Sequence, residues 1–277
     1  MKPFLTAYKC LDDVFRRGAF SGIKLNAYLA ETPKEQRPLV TKLAYGVLDK
    51  NIELEYKLLS LAEKIKPSVF PVLKIGAYAL TYLSMPPYAV INECVETIKA
   101  LGKGALAGFV NGTLRNYARA LESGSFSLPD GEAENLSVKY SFPLWAVKKL
   151  IVSHGAEFAE AFLAYEPSDE THLRVNTAKI SVPDFLSLLK AKKIPCEKSF
   201  LDDGVFTKGE PNVDKSFYVP QSAASMLVVC AIEADGGAVL DLCAAPGGKA
   251  VYIAGQNPTA TVTACDVRPH RLELVKA

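Results

Sequence analysis

Long apolar runs are missing from this 277-residue sequence. None approaches the ~18 residues that a membrane-spanning helix needs. The opening MKPFLTAYKCLDD has neither the apolar core nor the small-residue cleavage site of a secretory signal. Cysteine pairs are absent too. The six cysteines are spread along the chain without a Cys-x-x-Cys, which argues against a zinc ribbon or a disulfide frame and predicts buried thiols in a reducing compartment. His154, His172 and His270 are isolated from one another and form no triad or metal pattern, so surface or satisfied-core positions are expected. Excess charge of one sign is lacking: 32 Lys and Arg oppose 30 Asp and Glu, a net of +2, which gives no polycation argument for nucleic acid. These absences point to a cytoplasmic protein without membrane or metal, expected to be a monomer.

A composition of 49% hydrophobic and 22% charged residues fits one large domain or two to three modest ones and excludes disorder or a fibrous repeat. The charge is unevenly placed. Residues 1–128 carry 17 Lys and Arg against 11 Asp and Glu, a net of +6, and residues 129–277 carry 15 against 19, a net of −4. A basic excess confined to one segment suits a phosphate-binding module, although ordinary solvated surface would look the same.

Residues 1–128 read as all helix. Leu54, Leu58, Leu61 and Ile65 repeat at helical spacing, as do Ile91, Cys94, Val95 and Ile98, and then Leu106, Phe109, Val110, Leu114, Tyr117 and Leu121. Breaks are predicted at Gly18, Pro67, Pro86–Pro87 and Gly102 to Gly104, giving a bundle of roughly seven short helices. Tyr8, Tyr45 and Tyr78 are expected in its core. GSFSLPDGEAEN, from Gly124 to Asn135, is a linker candidate. Residues 129–217 then read as a linker and a small α+β segment. Residues 143–165 are helical, with Val147, Leu150 and Ile151 on one face. HLRVNTAKI follows as a strand, and a helix begins at the Ser181/Asp184 capping pair. Arg174 and Asn176 fall on the strand face opposite Leu173 and Val175, either solvated or available to a phosphate or base.

Residues 218–277 hold the chemistry. Ala238 to Leu242 is a short apolar run closed by acid, as expected of a strand buried on both faces. It runs into Cys243, Ala244, Ala245, Pro246, Gly247, Gly248 and Lys249, after which a helix begins. A second strand, Thr261 to Cys265, ends in Asp266, 19 residues past Gly247 and close to the ~20 at which nucleotide-binding α/β folds place a carboxylate on ribose. Pro269 opens a further helix. Small residues let backbone approach a ligand, the glycines permit conformations closed to other residues, and the helix start offers N–H groups to an anion. Asp241 is placed to hold an ammonium group. A phosphate loop would carry Ser or Thr after Gly-Lys, but Ala250 stands there, and a dinucleotide loop would carry three spaced glycines. A nucleoside with an amino-acid tail, S-adenosyl-L-methionine, is the remaining candidate.

The string VLDLCAAPGGKA, preceded by FYVPQSAAS and followed by TACDVRPHRLELV, resembles the cofactor region of the RNA cytosine-C5 methyltransferases of the Sun/RsmB (Fmu, NOL1/NOP2/Sun) family. KLAYGVLDKN, LKIGAYALTYL, AVINECVETIKALG and GFVNGTLRNYAR resemble the NusB-like RNA-binding domain of those enzymes, and YSFPLWAVKKL and LRVN their RNA-contacting segment. The resemblance implies an all-α NusB-like bundle, a small α+β segment and the start of a Rossmann-like methyltransferase domain. It implies S-adenosyl-L-methionine held by Cys243 to Lys249 with Asp266 on its ribose, rRNA (16S) as partner, and RNA contacts at Arg174 and Asn176. A NusB-type RNA-binding or antitermination protein without catalysis is the alternative.

One departure from the family bears on activity. Methyl transfer to C5 of cytosine needs a nucleophile at C6, for which a thiolate is the usual choice; family members carry that thiol in a Thr-Cys motif, with a second cysteine in Pro-Cys, both far downstream of the glycine turn. No Thr-Cys occurs here, and the only Pro-Cys, Pro195–Cys196, precedes the turn. Cys243 and Cys265 read as packing residues. The expectation is a partial copy whose nucleophile lies beyond Ala277, without methyl transfer and with weak or absent cofactor binding.

Overall fold

The computed structural model describes residues 2–166, 169–232, 234 and 236–276, without the side chain of His270. His270 therefore lies outside the described residues. The chain forms two compact units, Met1–Tyr165 and Glu166–Ala277.

The first unit is helical throughout. Within residues 1–128 it contains α1 (Pro3–Arg17), α2 (Ser21–Ala30), α3 (Arg37–Asp49), α4 (Asn51–Leu61), α5 (Phe70–Tyr82), α6 (Pro87–Ala100) and α7 (Ala107–Glu122). Proline opens several of these helices, where its missing N–H costs nothing. α1 ends at Gly18 in the left-handed conformation, φ 65°. The core joins Phe4, Leu11, Leu43, Leu54, Leu73, Ile98, Leu114 and Tyr117, all essentially inaccessible. α5 is its centre, and close approach there requires small residues. A Cβ on Gly46 would lie 2.0 Å from the Tyr78 ring, and one on Gly76 2.6 Å from Leu114.

Tyr8 and Tyr78 are core residues as expected, but Tyr45 is 40% exposed and Phe109 38%. α4 stops at Leu61, and Ile65 packs on the core from the following loop. The Gly124–Asn135 stretch is not all linker: its last four residues begin α8 (Glu132–Tyr140), followed by α9 (Leu144–His154) and α10 (Ala156–Ala164). The Ser141 hydroxyl, just past α8, accepts the Ile52 N–H at 2.9 Å and so caps α4. That capping bond and the packing of α8 on α4 place α8–α10 in the same compact unit as the bundle, not with the strands that follow.

The second unit starts with a four-stranded antiparallel sheet ordered β2-β3-β1-β4, made of β1 (Glu170–Val175), β2 (Cys196–Lys198), β3 (Gly204–Lys208) and β4 (Tyr218–Pro220). Leu173 stands opposite Val205, and Arg174 opposite Val219. Helix α11 (Val182–Ala191) is capped as predicted, the Ser181 hydroxyl accepting the Asp184 N–H. It lays Phe185 and Leu189 on Leu173, Val175 and Tyr218. α12 (Ala223–Cys230) leads to β5 (Ala238–Asp241), α13 (Gly248–Gln256), β6 (Thr261–Ala264) and α14 (Pro269–Lys276). β5 and β6 pair in parallel, Asp241 beside Ala264.

Two expectations are corrected here. β5 is not buried on both faces: Val239 and Val262 pack on Met226, Tyr252 and Ile253, while Leu240 is 58% exposed on the other side. Among the described residues, helices α12 and α13 cover one face of this pair only. Nor are the cysteines uniformly buried. Cys10 and Cys94 are, but Cys230 and Cys243 are exposed and Cys196 and Cys265 half-buried.

Candidate functional site

The corner where β5 turns into α13 is built by backbone hydrogen bonds that extend the β5–β6 pairing. The Cys265 N–H donates to Asp241 O and the Ala244 N–H to Cys265 O, each at 2.8 Å. These bonds draw the turn Leu242–Gly247 against the end of β6, so that Asp266 sits beside it. Within the turn the Ala245–Pro246 peptide bond is cis. Gly247 closes it at φ 109°, where a side chain is strained, and a Cβ there would come 3.3 Å from the Val275 backbone. Gly247 is the N-cap of α13, and the first-turn N–H groups that follow lack intrahelical partners.

Two carboxylates flank this turn, at the carboxyl ends of neighbouring parallel strands, which is where open α/β sheets bind ligands. Asp241 Oδ1 accepts the Cys243 N–H at 3.2 Å, but its Oδ2 is buried without a hydrogen-bond partner. Asp266 accepts the Arg268 N–H at 3.0 Å, and Arg271 lies 3.9 Å from its other oxygen while donating to Ala245 O at 3.2 Å. Gln221, 8% exposed, has a carboxamide in which neither Oε1 nor Nε2 is bonded. Buried polar atoms are nearly always paired in native proteins. Asp241 Oδ2 therefore remains an acceptor without a donor, and the Gln221 carboxamide keeps a donor and an acceptor for a polar ligand.

Ala244, Ala245 and Gly247 are buried in this turn, whereas Cys243, Pro246 and Lys249 are exposed. Cys243 is thus not the packing residue expected from the sequence. Arg174 also departs from expectation. Its strand face is not solvated: the residue is 7% exposed, its guanidinium lies 4.5 Å from the Tyr252 ring centre, and Nη1 is 3.4 Å from Gly248 O. Burial lowers the Arg174 pKa and raises that of Tyr252. Asn176 donates to Ser216 O at 3.0 Å. Both residues line a cavity of about 240 Å³ with Asp203, Tyr252 and Gln256. His172 is a satisfied core residue, its Nδ1 2.8 Å from Gln221 O and its Nε2 2.8 Å from the Ser199 hydroxyl. A carbonyl only accepts, so Nδ1 carries the proton.

Gln221 was not singled out by sequence. The signal lay in its place one residue before the Ser222 cap of α12, but nothing in spacing alone shows that its carboxamide is left unpaired.

Three family models cover most of the chain. The NusB family matches residues 4–119, the RsmF/B-like ferredoxin-like domain residues 142–214, and 16S rRNA methyltransferase RsmB/F residues 229–277. Over 98% of its length the chain is 32% identical to the probable ribosomal RNA small subunit methyltransferase B of Bacillus subtilis, of which it spans 64%. It is 29% identical to ribosomal RNA small subunit methyltransferase B of Sodalis glossinidius, covering 96% of this chain and 63% of that one. Together these matches support a Sun/RsmB family member. As in the Sun/RsmB pattern, a NusB-like helical region precedes a small α+β segment and the start of a Rossmann-like domain. The crystal structure of PH0851 shares this fold, with a TM-score of 0.73 at 18% identity over 99% of this chain and 65% of that one. Residues 243–249 and Asp266 all lie within the part matched by the RsmB/F methyltransferase model.

Proposed function

We propose that the whole protein, of which this chain spans 64% in the Bacillus relative, transfers a methyl group from S-adenosyl-L-methionine to C5 of a cytosine in 16S rRNA. The observation that carries this reading is the pair Asp241 and Asp266 flanking a glycine turn at the start of α13, with Asp241 Oδ2 buried and unpaired. When bound, S-adenosyl-L-methionine supplies a methyl group on a sulfonium, ready for transfer to a carbon nucleophile. Asp241 would hold its ammonium and Asp266 its ribose hydroxyls, while residues 243–249 would line its adenosine and methionine parts. The basic segment 1–128 would grip RNA phosphates and Asn176 would contact RNA at the cavity it lines, while Arg174, whose guanidinium Tyr252 covers, would shape that cavity from beneath. The target base must leave its stack for C5 and C6 to be reached.

On this reading residues 1–277, which carry no Thr-Cys, do not supply the thiol nucleophile. Cys243 is exposed beside Asp241, and the Cys265 main chain is bonded to Asp241 and Ala244. These residues therefore account for holding cofactor and RNA. NMR titration of the 277-residue chain with S-adenosyl-L-methionine tests the reading. Weak binding centred on residues 241–249 and 266 is expected, lost at least tenfold in Asp266→Ala through removal of hydrogen bonds to a charged acceptor. Unchanged affinity in that variant would refute the ribose assignment. No labelled methyl is expected to reach 16S rRNA from this chain alone, and incorporation would overturn the nucleophile assignment. The alternative, an RNA-binding protein with a vestigial turn, predicts RNA affinity without any cofactor-dependent shift.

A further inference from the structure

Gln221 is buried in a way that its own surroundings do not explain. Its main chain is held on both sides by His172: the Gln221 N–H donates to His172 O at 3.1 Å, and Gln221 O accepts from His172 Nδ1 at 2.8 Å. Yet both polar atoms of its side chain are inaccessible and without a partner. The carboxamide lies against Gly248, the first residue of α13: a Cβ added there would meet Gln221 Cδ, Nε2 and Oε1 at 3.7, 3.8 and 3.9 Å. It thus stands at the start of a nine-residue helix, whose unpaired N–H groups and partial positive charge favour an anion.

A carboxamide offers a donor and an acceptor about two ångströms apart, which matches a ligand carrying an acceptor and a donor side by side. The amino-acid end of the methyl donor is such a group, with its carboxylate next to its ammonium. We propose that Gln221 chelates this end, Nε2 donating to the carboxylate and Oε1 accepting from the ammonium. The start of α13 shares the carboxylate, and the vacant Asp241 Oδ2 shares the ammonium. This assignment rests on the cofactor reading given above and adds a positioning residue to it from outside the glycine turn.

The test compares two ligands on the 277-residue chain by NMR titration: S-adenosylhomocysteine, which has the amino-acid end, and 5′-methylthioadenosine, which lacks it. Wild type is expected to prefer the former, with the Gln221 side-chain amide shifting for it alone. Gln221→Leu should weaken S-adenosylhomocysteine about tenfold, the worth of a hydrogen bond to a charged group, and leave methylthioadenosine unchanged. Gln221→Glu keeps the shape, replaces the donor by a charge that repels the carboxylate, and should weaken the same ligand whether or not the leucine variant folds. Equal weakening of both ligands, or none, in variants whose parent binds would overturn the role of Gln221 and leave the cofactor site standing. Binding of neither ligand by wild type would instead overturn the cofactor site, and this inference with it.

Discussion

Arg174 shows how far a single side chain can depart from its pattern. Alternation along β1 places it opposite Leu173 and Val175, and half of that reading is right: those two pack on α11. The other face is not open, because Tyr252 of α13 covers the guanidinium. A buried cation over an aromatic ring gains up to about 2 kcal/mol, and its aliphatic stem packs as well. Arg174→Ala, which loses both, should therefore destabilise the second unit by about 3 kcal/mol in urea unfolding, and Arg174→Met, which keeps the stem and loses the charge, by about 1–2. Equal losses would place the stabilisation in the charge alone. Asp13 is a second buried charge, one that is well partnered. Burial pushes its carboxyl up, but hydrogen bonds from Lys24 and Tyr28, with the Arg17 charge, outweigh this and hold it below the ordinary carboxylate range. A depressed folded value stabilises above the unfolded pKa of about 3.9 and is lost as pH falls through the folded one. Asp13→Asn should cost about 1 kcal/mol near neutrality. That difference should shrink towards zero below about pH 4, and a pH-independent difference would contradict the assignment.

At the scale of elements, periodicity located the helices, and neighbours decided what each face met. α7 carries a correct apolar stripe in Val110, Leu114 and Tyr117, but Phe109 on its margin is partly exposed. Glycines separate the same way. Gly46 on α3 and Gly112 on α7 look alike in sequence, yet a Cβ on Gly46 would collide with the buried Tyr78 ring, whereas Gly112 has nothing within 4 Å. Gly46→Ala should destabilise by about 1–3 kcal/mol through overpacking. Gly112→Ala should stabilise by about 0.5–1 kcal/mol, because alanine loses less backbone entropy in a helix. Thermal unfolding of the two variants checks both, and shifts of one sign would refute the packing argument. The polar run at Gly124–Asn135 misleads for a related reason: Glu132 and Glu134 suit a loop by composition and a helix start by charge, and α8 takes the second role.

For the whole molecule, the charge asymmetry is the property with a functional consequence. If the chain grips RNA as proposed, a net +6 over residues 1–128 predicts that its RNA affinity falls steeply with salt, by roughly a hundredfold for a fourfold rise where three to four phosphates are neutralised. Filter binding to a 16S rRNA fragment reads this directly, and salt-independent affinity would remove RNA gripping by phosphate contacts from the account. None of the helices in the described residues is long and apolar enough to cross a membrane.

By itself the sequence determined the helical first segment, the α+β segment, the strand–turn–helix order around Gly247 and the family resemblance, because these rest on local periodicity, proline and glycine constraints and a specific contiguous motif. Tertiary structure alone decided that Arg174 is buried, that Ser141 caps α4 from 89 residues away, and that β5 keeps one face open. It also decided that Gln221 leaves its carboxamide unpaired beside the turn. The physical reason is common to all four. Whether a polar atom or an apolar face is satisfied depends on which distant segment arrives opposite it, and no spacing along the chain encodes that partner.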